Sequence, residues 1–180
     1  LLSNAERVAR LVANFRQLAV DRVGEERRPF DLRACVDDTL RDLKPRLDEA
    51  GVALHVDVPA GIAMDSYPVA LAQVLTNLTV NALQHAFTAG GSIAITARLG
   101  DDDAVHLRLR DDGQGIDAAL RDRVFEPFFT TRRMLGGTGL GLYIVNQLVT
   151  RQLGGTVVLE AATSRGSSFD LRLPRVARQA

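Results

Sequence analysis

The sequence predicts an α+β domain, and three observations carry that reading. A helix pattern over Pro68 to Phe87 places Leu71, Val74, Leu75, Leu78 and Ala82 on one face, at spacings of three, one, three and four. Strict alternation at Val52, Leu54, Val56 and Val58, and again at Val105, Leu107 and Leu109, marks half-buried strands. Of the 180 residues, 46% are hydrophobic, enough to bury a core and against disorder.

The totals also exclude several function classes. The formal net charge is zero and no basic stripe runs along the chain, which argues against nucleic acid as a partner. Cys35 is the one cysteine, so there is no internal disulfide, and no Cys/His cluster suggests zinc. Cys35 itself reads as a small core or boundary residue. No apolar run approaches the ~20 residues of a membrane helix, and no signal peptide is visible. The chain opens at Leu1 in mid-pattern without methionine, and reads as a piece of a longer protein.

Residues 1–22 repeat Ala5, Val8, Val12, Phe15 and Ala19 at helical spacing, with Leu11 and Leu18 in the same stripe. This helix is expected to pack on a partner helix. Val23 to Pro29 reads as a linker. A short strand is expected over Phe30 to Leu32. Asp31 is the expected N-cap of a helix to Ala50, carrying Leu32, Val36, Leu40, Leu43 and Leu47 on one face. Pro45 is expected to kink it and Gly51 to end it. Pro59 closes the first alternating strand. Asp65 or Ser66 is the expected cap of the helix from Pro68.

Strands follow at Ser92 to Leu99 and Val105 to Arg110, joined by a turn at Gly100 to Asp103. A helical turn is expected around Asp117 to Arg123. The glycine run Gly136 to Leu142 opens a helix with Leu142, Val145, Leu148 and Val149 inward, ended by Gly154 and Gly155. Thr156 to Ala161 and Ser168 to Leu173 close the chain as strands.

Three segments carry candidate chemistry. Asn77, Asn81 and His85 lie four apart on one face of the Pro68 helix, with Gln84 beside them. Such a polar row needs partners, from solvent, a loop or a ligand. Asp111 ends a strand and is followed by Gly113 and Gly115, which let backbone turn sharply and approach a ligand. Its carboxylate can accept from an exocyclic amine of a base, though a solvated turn aspartate fits the same short motif. Gly136, Gly137, Gly139 and Gly141 crowd a helix entrance, where bare N–H groups form an anion site. Capping or close packing explains any one of them, but not four in six positions. The run fits neither the P-loop nor the dinucleotide fingerprint. Asn81 offers a hard oxygen of the kind magnesium takes beside a triphosphate. Arg132 and Arg133 can offset phosphate charge or be ordinary loop arginines.

As an ordered set, NLTVNALQHAF, DDGQGI, FEPFFTTRR, GGTGLGL, LGGTV and SRGSSFDLRLP resembles the boxes of sensor histidine kinases. In order these are the N box, the first glycine box, the F box, the second glycine box and the C-terminal signature. The family shares its ATPase superfamily with gyrase, heat-shock protein 90 and MutL. The resemblance implies the Bergerat fold, a two-layer α/β sandwich whose mixed, mostly antiparallel sheet is covered by helices. It implies a catalytic domain over residues 30–176. Residues 1–22 resemble the second helix of the dimerisation and phosphoacceptor hairpin.

ATP and magnesium are the implied cofactors. By the match, Asn81 would hold Mg2+ and Asp111 the adenine amine. Gly113, Gly115, Gly137, Gly139 and Gly141 would shape the pocket, and Phe125 to Arg133 would lead a lid. The same match carries ATP binding to Asn77, Gln84, His85, Ile116, Phe125, Thr130, Thr131, Arg132 and Arg133, and on to Thr138, Leu140, Leu142 and Ser168. Many kinases have a basic or tyrosine side chain where this chain has Gln84 and His85.

In the gyrase-like branch a glutamate stands at the position of Asn77 and activates water. An amide takes no proton usefully at neutral pH. The implied reaction is therefore transfer of the γ-phosphoryl group to a histidine on the dimerisation hairpin, then to an aspartate of a response regulator receiver domain. None of His55, His85 and His106 suits the acceptor, which is expected upstream of Leu1, so the chain alone should not phosphorylate itself. The implied assembly is a homodimer through the hairpin, and the implied location is cytoplasmic, whether or not the parent is membrane-anchored. Two rivals are a serine-kinase or anti-sigma module of the same superfamily, and a non-catalytic dimeric adaptor.

Overall fold

The computed structural model describes residues 26–131, 137–160 and 165–177. The expected N-terminal helix over 1–22 lies outside the described residues. Strand β1 (Arg28–Asp31) leads into helix α1 (Leu32–Glu49). Strands β2 (Val52–Asp57) and β3 (Ala63–Ser66) precede helix α2 (Pro68–His85). Strands β4 (Gly91–Leu99) and β5 (Ala104–Asp111) are followed by a 3-10 turn at Ala118–Leu120. Helix α3 (Gly141–Gln147) runs into a π-helical turn, Leu148–Gln152. Strands β6 (Thr156–Leu159) and β7 (Ser168–Pro174) end the domain.

The main sheet has five strands in the order β2-β4-β5-β7-β6. β2 and β4 are parallel, because α2 carries the chain back between them, and every other pairing is antiparallel. Residues alternate across the sheet as the strand period demands. Ile93, Ile95, Leu107, Leu109, Phe169 and Leu171 face the helices and are buried. Arg98, His106, Arg108, Arg110 and Arg172 emerge on the opposite face. The core lies between one sheet face and the three helices, the two-layer α+β arrangement the sequence implies.

α1 begins as expected. The Asp31 carboxylate accepts the Ala34 N–H at 2.9 Å and also the Gly61 N–H at 3.0 Å. The helix runs through Pro45 without ending. Gly51 then turns the chain with φ +63°.

Several expectations are corrected. Leu32 belongs to α1, and the first strand is Arg28–Asp31. Asp65 and Ser66 do not cap α2, because both lie in β3, paired antiparallel with β1. α2 starts instead after Tyr67, with Pro68 in the first turn, where proline's missing N–H costs nothing. Asp65 pairs with Arg27 through two hydrogen bonds of 2.9 and 2.6 Å. α2 stops at His85, short of Phe87, where Ala86 meets the turn after β5. The last-but-one strand ends at Leu159, with Glu160 outside it, and Ala161 lies outside the described residues. On α3 Ile144 is buried beside the expected Val145, and Leu142 is only half-buried.

Candidate functional site

β5 is the central strand, and its last residue is Asp111, 2% exposed. A carboxylate this deep needs donors. Its Oδ1 accepts the Gly113 N–H at 3.0 Å and the Ser167 N–H at 3.2 Å. Burial pushes its carboxyl above the usual carboxylate range, outweighing these N–H bonds and the Ser167 hydroxyl, which pull it down. The neighbouring Asp112 is exposed and held below that range by the Ser92 N–H and hydroxyl, at 2.7 and 2.8 Å. The adjacent carboxylates thus have opposite environments.

Close backbone packing builds the turn. Gly166 has φ +96°, and a Cβ there would strike the Asp111 carbonyl. A Cβ on Gly113 would strike Ala86 at the end of α2. These approaches gather the turn after β5, the start of β7 and the end of α2 around one cavity of about 460 Å3.

From α2 the cavity takes Asn77, Asn81, Gln84 and His85. From β5 and its turn come Asp111, Gly115 and Ile116. From the third segment come Thr130, Thr131, Gly137, Thr138, Gly139, Gly141 and Leu142. Gly139 packs against the Phe128 and Phe129 backbones so tightly that a Cβ would not fit, which sets the glycine run against the Phe128–Phe129 pair. Phe128 takes φ +65° there, in the left-handed region. Among the described residues, a Cβ on Gly141 would meet no atom within 4 Å, so its backbone borders open space there. Asn77 Nδ2 is buried at this cavity without a hydrogen-bond partner among the described residues.

Four predicted site residues do not line the cavity. Gly113 acts beneath it, through the Ala86 contact and its bond to Asp111. Phe125 packs edge-on against Phe169, ring centres 6.4 Å apart. Leu140 is core, 1% exposed. Ser168 points to the other sheet face, where its hydroxyl bonds Asp170 at 3.2 Å. The serine at the cavity is Ser167. Arg132 and Arg133 lie outside the described residues.

Sequence reasoning also missed an apolar wall of Val80, Leu120, Val124, Phe129 and Ile144, and the polar Gln114 and Asp117. The Arg123 guanidinium covers Phe129 at 4.8 Å from the ring centre. Val80 sits on α2 beside Asn77 and Asn81, so its helical position was the available signal.

A helix bearing amides, a buried carboxylate at a strand end and a glycine-rich turn around one cleft define a class, the ATP-binding domains of the Bergerat fold. Residues 66–177 match the family described as histidine kinase-, DNA gyrase B-, and HSP90-like ATPase, and the chain belongs to that family. Within it the chain is the catalytic ATP-binding domain of the sensor histidine kinase kind. The sensor kinase CckA of Brucella abortus is 34% identical over 96% of this chain and 20% of its own length. Full-length ShkA in complex with AMPPNP is 27% identical, with TM-score 0.75, covering 94% of this chain and 35% of that one. Histidine kinase ThkA in complex with the response regulator protein TrrA shares the fold at 20% identity, with TM-score 0.77, over 95% and 49% of the two chains. The chain spans 17% to 38% of the lengths of curated relatives it matches. Among the described residues no helix is long and apolar enough to cross a membrane.

Proposed function

We propose that this chain holds magnesium ATP while a histidine of a separate helical hairpin takes the γ-phosphoryl group. The carrying observation is the convergence of Asp111, Asn81 and the Gly137–Gly141 turn on one cleft. Asp111 accepts from the adenine amine, and the apolar wall with Ile116 covers the ring face. The backbone of Gly137, Gly139 and Gly141 faces the phosphates. The donor set suits magnesium: Asn81 supplies a neutral hard oxygen, and the phosphates supply the charged ones. Bound there, the ion would offset phosphate charge. The Asn77 amide is a buried donor beside the same cleft, without a hydrogen-bond partner among the described residues.

The chain's own part in the reaction is positioning and exclusion of water. Asn77 cannot take a proton from water, Asp111 is engaged by N–H donors, and Asp117 caps the Ala118–Leu120 turn through the Ala119 N–H. This favours transfer over hydrolysis. His55, His85 and His106 lie in β2, α2 and β5, none on a hairpin helix, so the acceptor belongs to another segment. The full protein would be a cytoplasmic-facing homodimer through that hairpin, with residues 1–22 as one of its helices and residues 30–176 as the catalytic unit. A response regulator would receive the phosphoryl group, as the ThkA–TrrA pairing suggests by fold likeness.

Calorimetry with an ATP analogue tests the metal role. Wild type should bind more tightly with magnesium than without it, and Asn81→Ala should lose most of that difference. A variant that keeps the full magnesium effect would refute the Asn81 assignment, and a wild-type chain with no magnesium-dependent difference would favour a non-catalytic adaptor.

A further inference from the structure

One residue of the turn after β5 holds the C-terminal end of α2. A helix leaves its last carbonyls without partners inside the helix. Here the Gln114 N–H donates to the Ala86 carbonyl at 3.0 Å, and Gln114 Nε2 donates to the His85 carbonyl at 2.6 Å. Gly113 permits this approach, since any side chain there would collide with Ala86. The backbone bond is open to any residue except proline. The side-chain bond requires a donor of glutamine's reach.

We propose that Gln114 is a positioning residue for the phosphate side of the cleft: its amide fixes the last turn of α2, and with it Gln84 and His85. The inference rests on the nucleotide reading above. Gln84 and His85 lie about one turn beyond Asn81 on the cleft wall. Asp111, on the base side, is held separately by Gly113 and Ser167. Losing the Gln114 side-chain bond therefore loosens the wall facing the phosphates and leaves the base site in place. The backbone bond remains, so the effect is graded. One net hydrogen bond corresponds to about a two- to tenfold change in affinity.

Gln114→Met tests this, being neutral, similar in length and without a donor. ATP and adenosine binding are measured by calorimetry on the 180-residue chain, with amide hydrogen exchange followed without ligand. The expected result is ATP affinity about two- to tenfold lower, with a smaller loss for adenosine, since Gln114 also lines the cavity. Exchange at the Ala86 N–H, bonded to the Ala82 carbonyl at 2.8 Å, should quicken while Leu78 stays protected. Unchanged ATP affinity overturns the proposal. So does an equal loss for ATP and adenosine, which marks general loosening. Wild-type chain that takes up neither ligand overturns the nucleotide reading itself and this inference with it.

Discussion

Replacing Asp111 by asparagine should move stability and nucleotide binding in opposite directions. The asparagine oxygen can keep the Gly113 and Ser167 N–H bonds, now at 3.0 and 3.2 Å. What disappears is a charge whose burial raises the carboxyl pKa above its usual value. The sign follows from linkage. A raised folded-state pKa stabilises fully below the unfolded pKa, about 3.9, and that contribution is lost as pH rises through the folded value. At neutral pH the ionised carboxylate therefore weighs against folding, and Asp111→Asn without ligand should melt no lower than wild type. Binding goes the other way. A hydrogen bond from the adenine amine to a carboxylate contributes about 1.5–3 kcal/mol, so affinity should fall about ten- to a hundredfold. Melting curves and calorimetry measure the two effects side by side. Wild-type affinity should also weaken on acidification, beginning above the usual aspartate range, and the variant should show no such step. A variant that binds ATP as well as wild type, or that unfolds markedly earlier, would refute the reasoning.

Two further predictions follow from the packing. Gly166→Ala forces a Cβ against the Asp111 carbonyl at φ +96°, so it should lower melting temperature and ATP affinity together, unlike Asp111→Asn. Arg27 bonds both oxygens of Asp65 and the Ala177 carbonyl, at 2.7 Å for the latter. Its hydrogen bonds hold the Asp65 carboxyl below its usual pKa, so the pair's stabilisation is present above the unfolded value and lost as pH falls through the folded one. Arg27→Ala should therefore lower the melting temperature at neutral pH, and the gap should shrink on acidification. A gap independent of pH would contradict the pairing.

Much of the fold and the cleft was legible because helical and strand periods are local. Asn77 and Asn81 interrupt an apolar helix, and Asp111 ends an alternating strand, so each polar residue stood out against its own element. The misses share a physical reason, which is that they depend on distant partners. β3 is four residues long, and Asp65 and Ser66 look like helix caps until β1 pairs with them. Ser167 and Ser168 differ only in sheet face, and a one-residue slip exchanges them. Gln114 has no local mark, since its amide partner, the His85 carbonyl, lies 29 residues away. Phe125 was assigned to the lid by its motif, but it packs, half-buried, against Phe169 at the edge of the core.

The most direct measurement is a crystal structure of this chain with magnesium and a non-hydrolysable ATP analogue. The adenine amine should lie within hydrogen-bond reach of Asp111, the metal against the Asn81 oxygen, and the phosphates along the Gly137–Gly141 backbone. An analogue bound elsewhere, or with its base turned away from Asp111, would contradict the account.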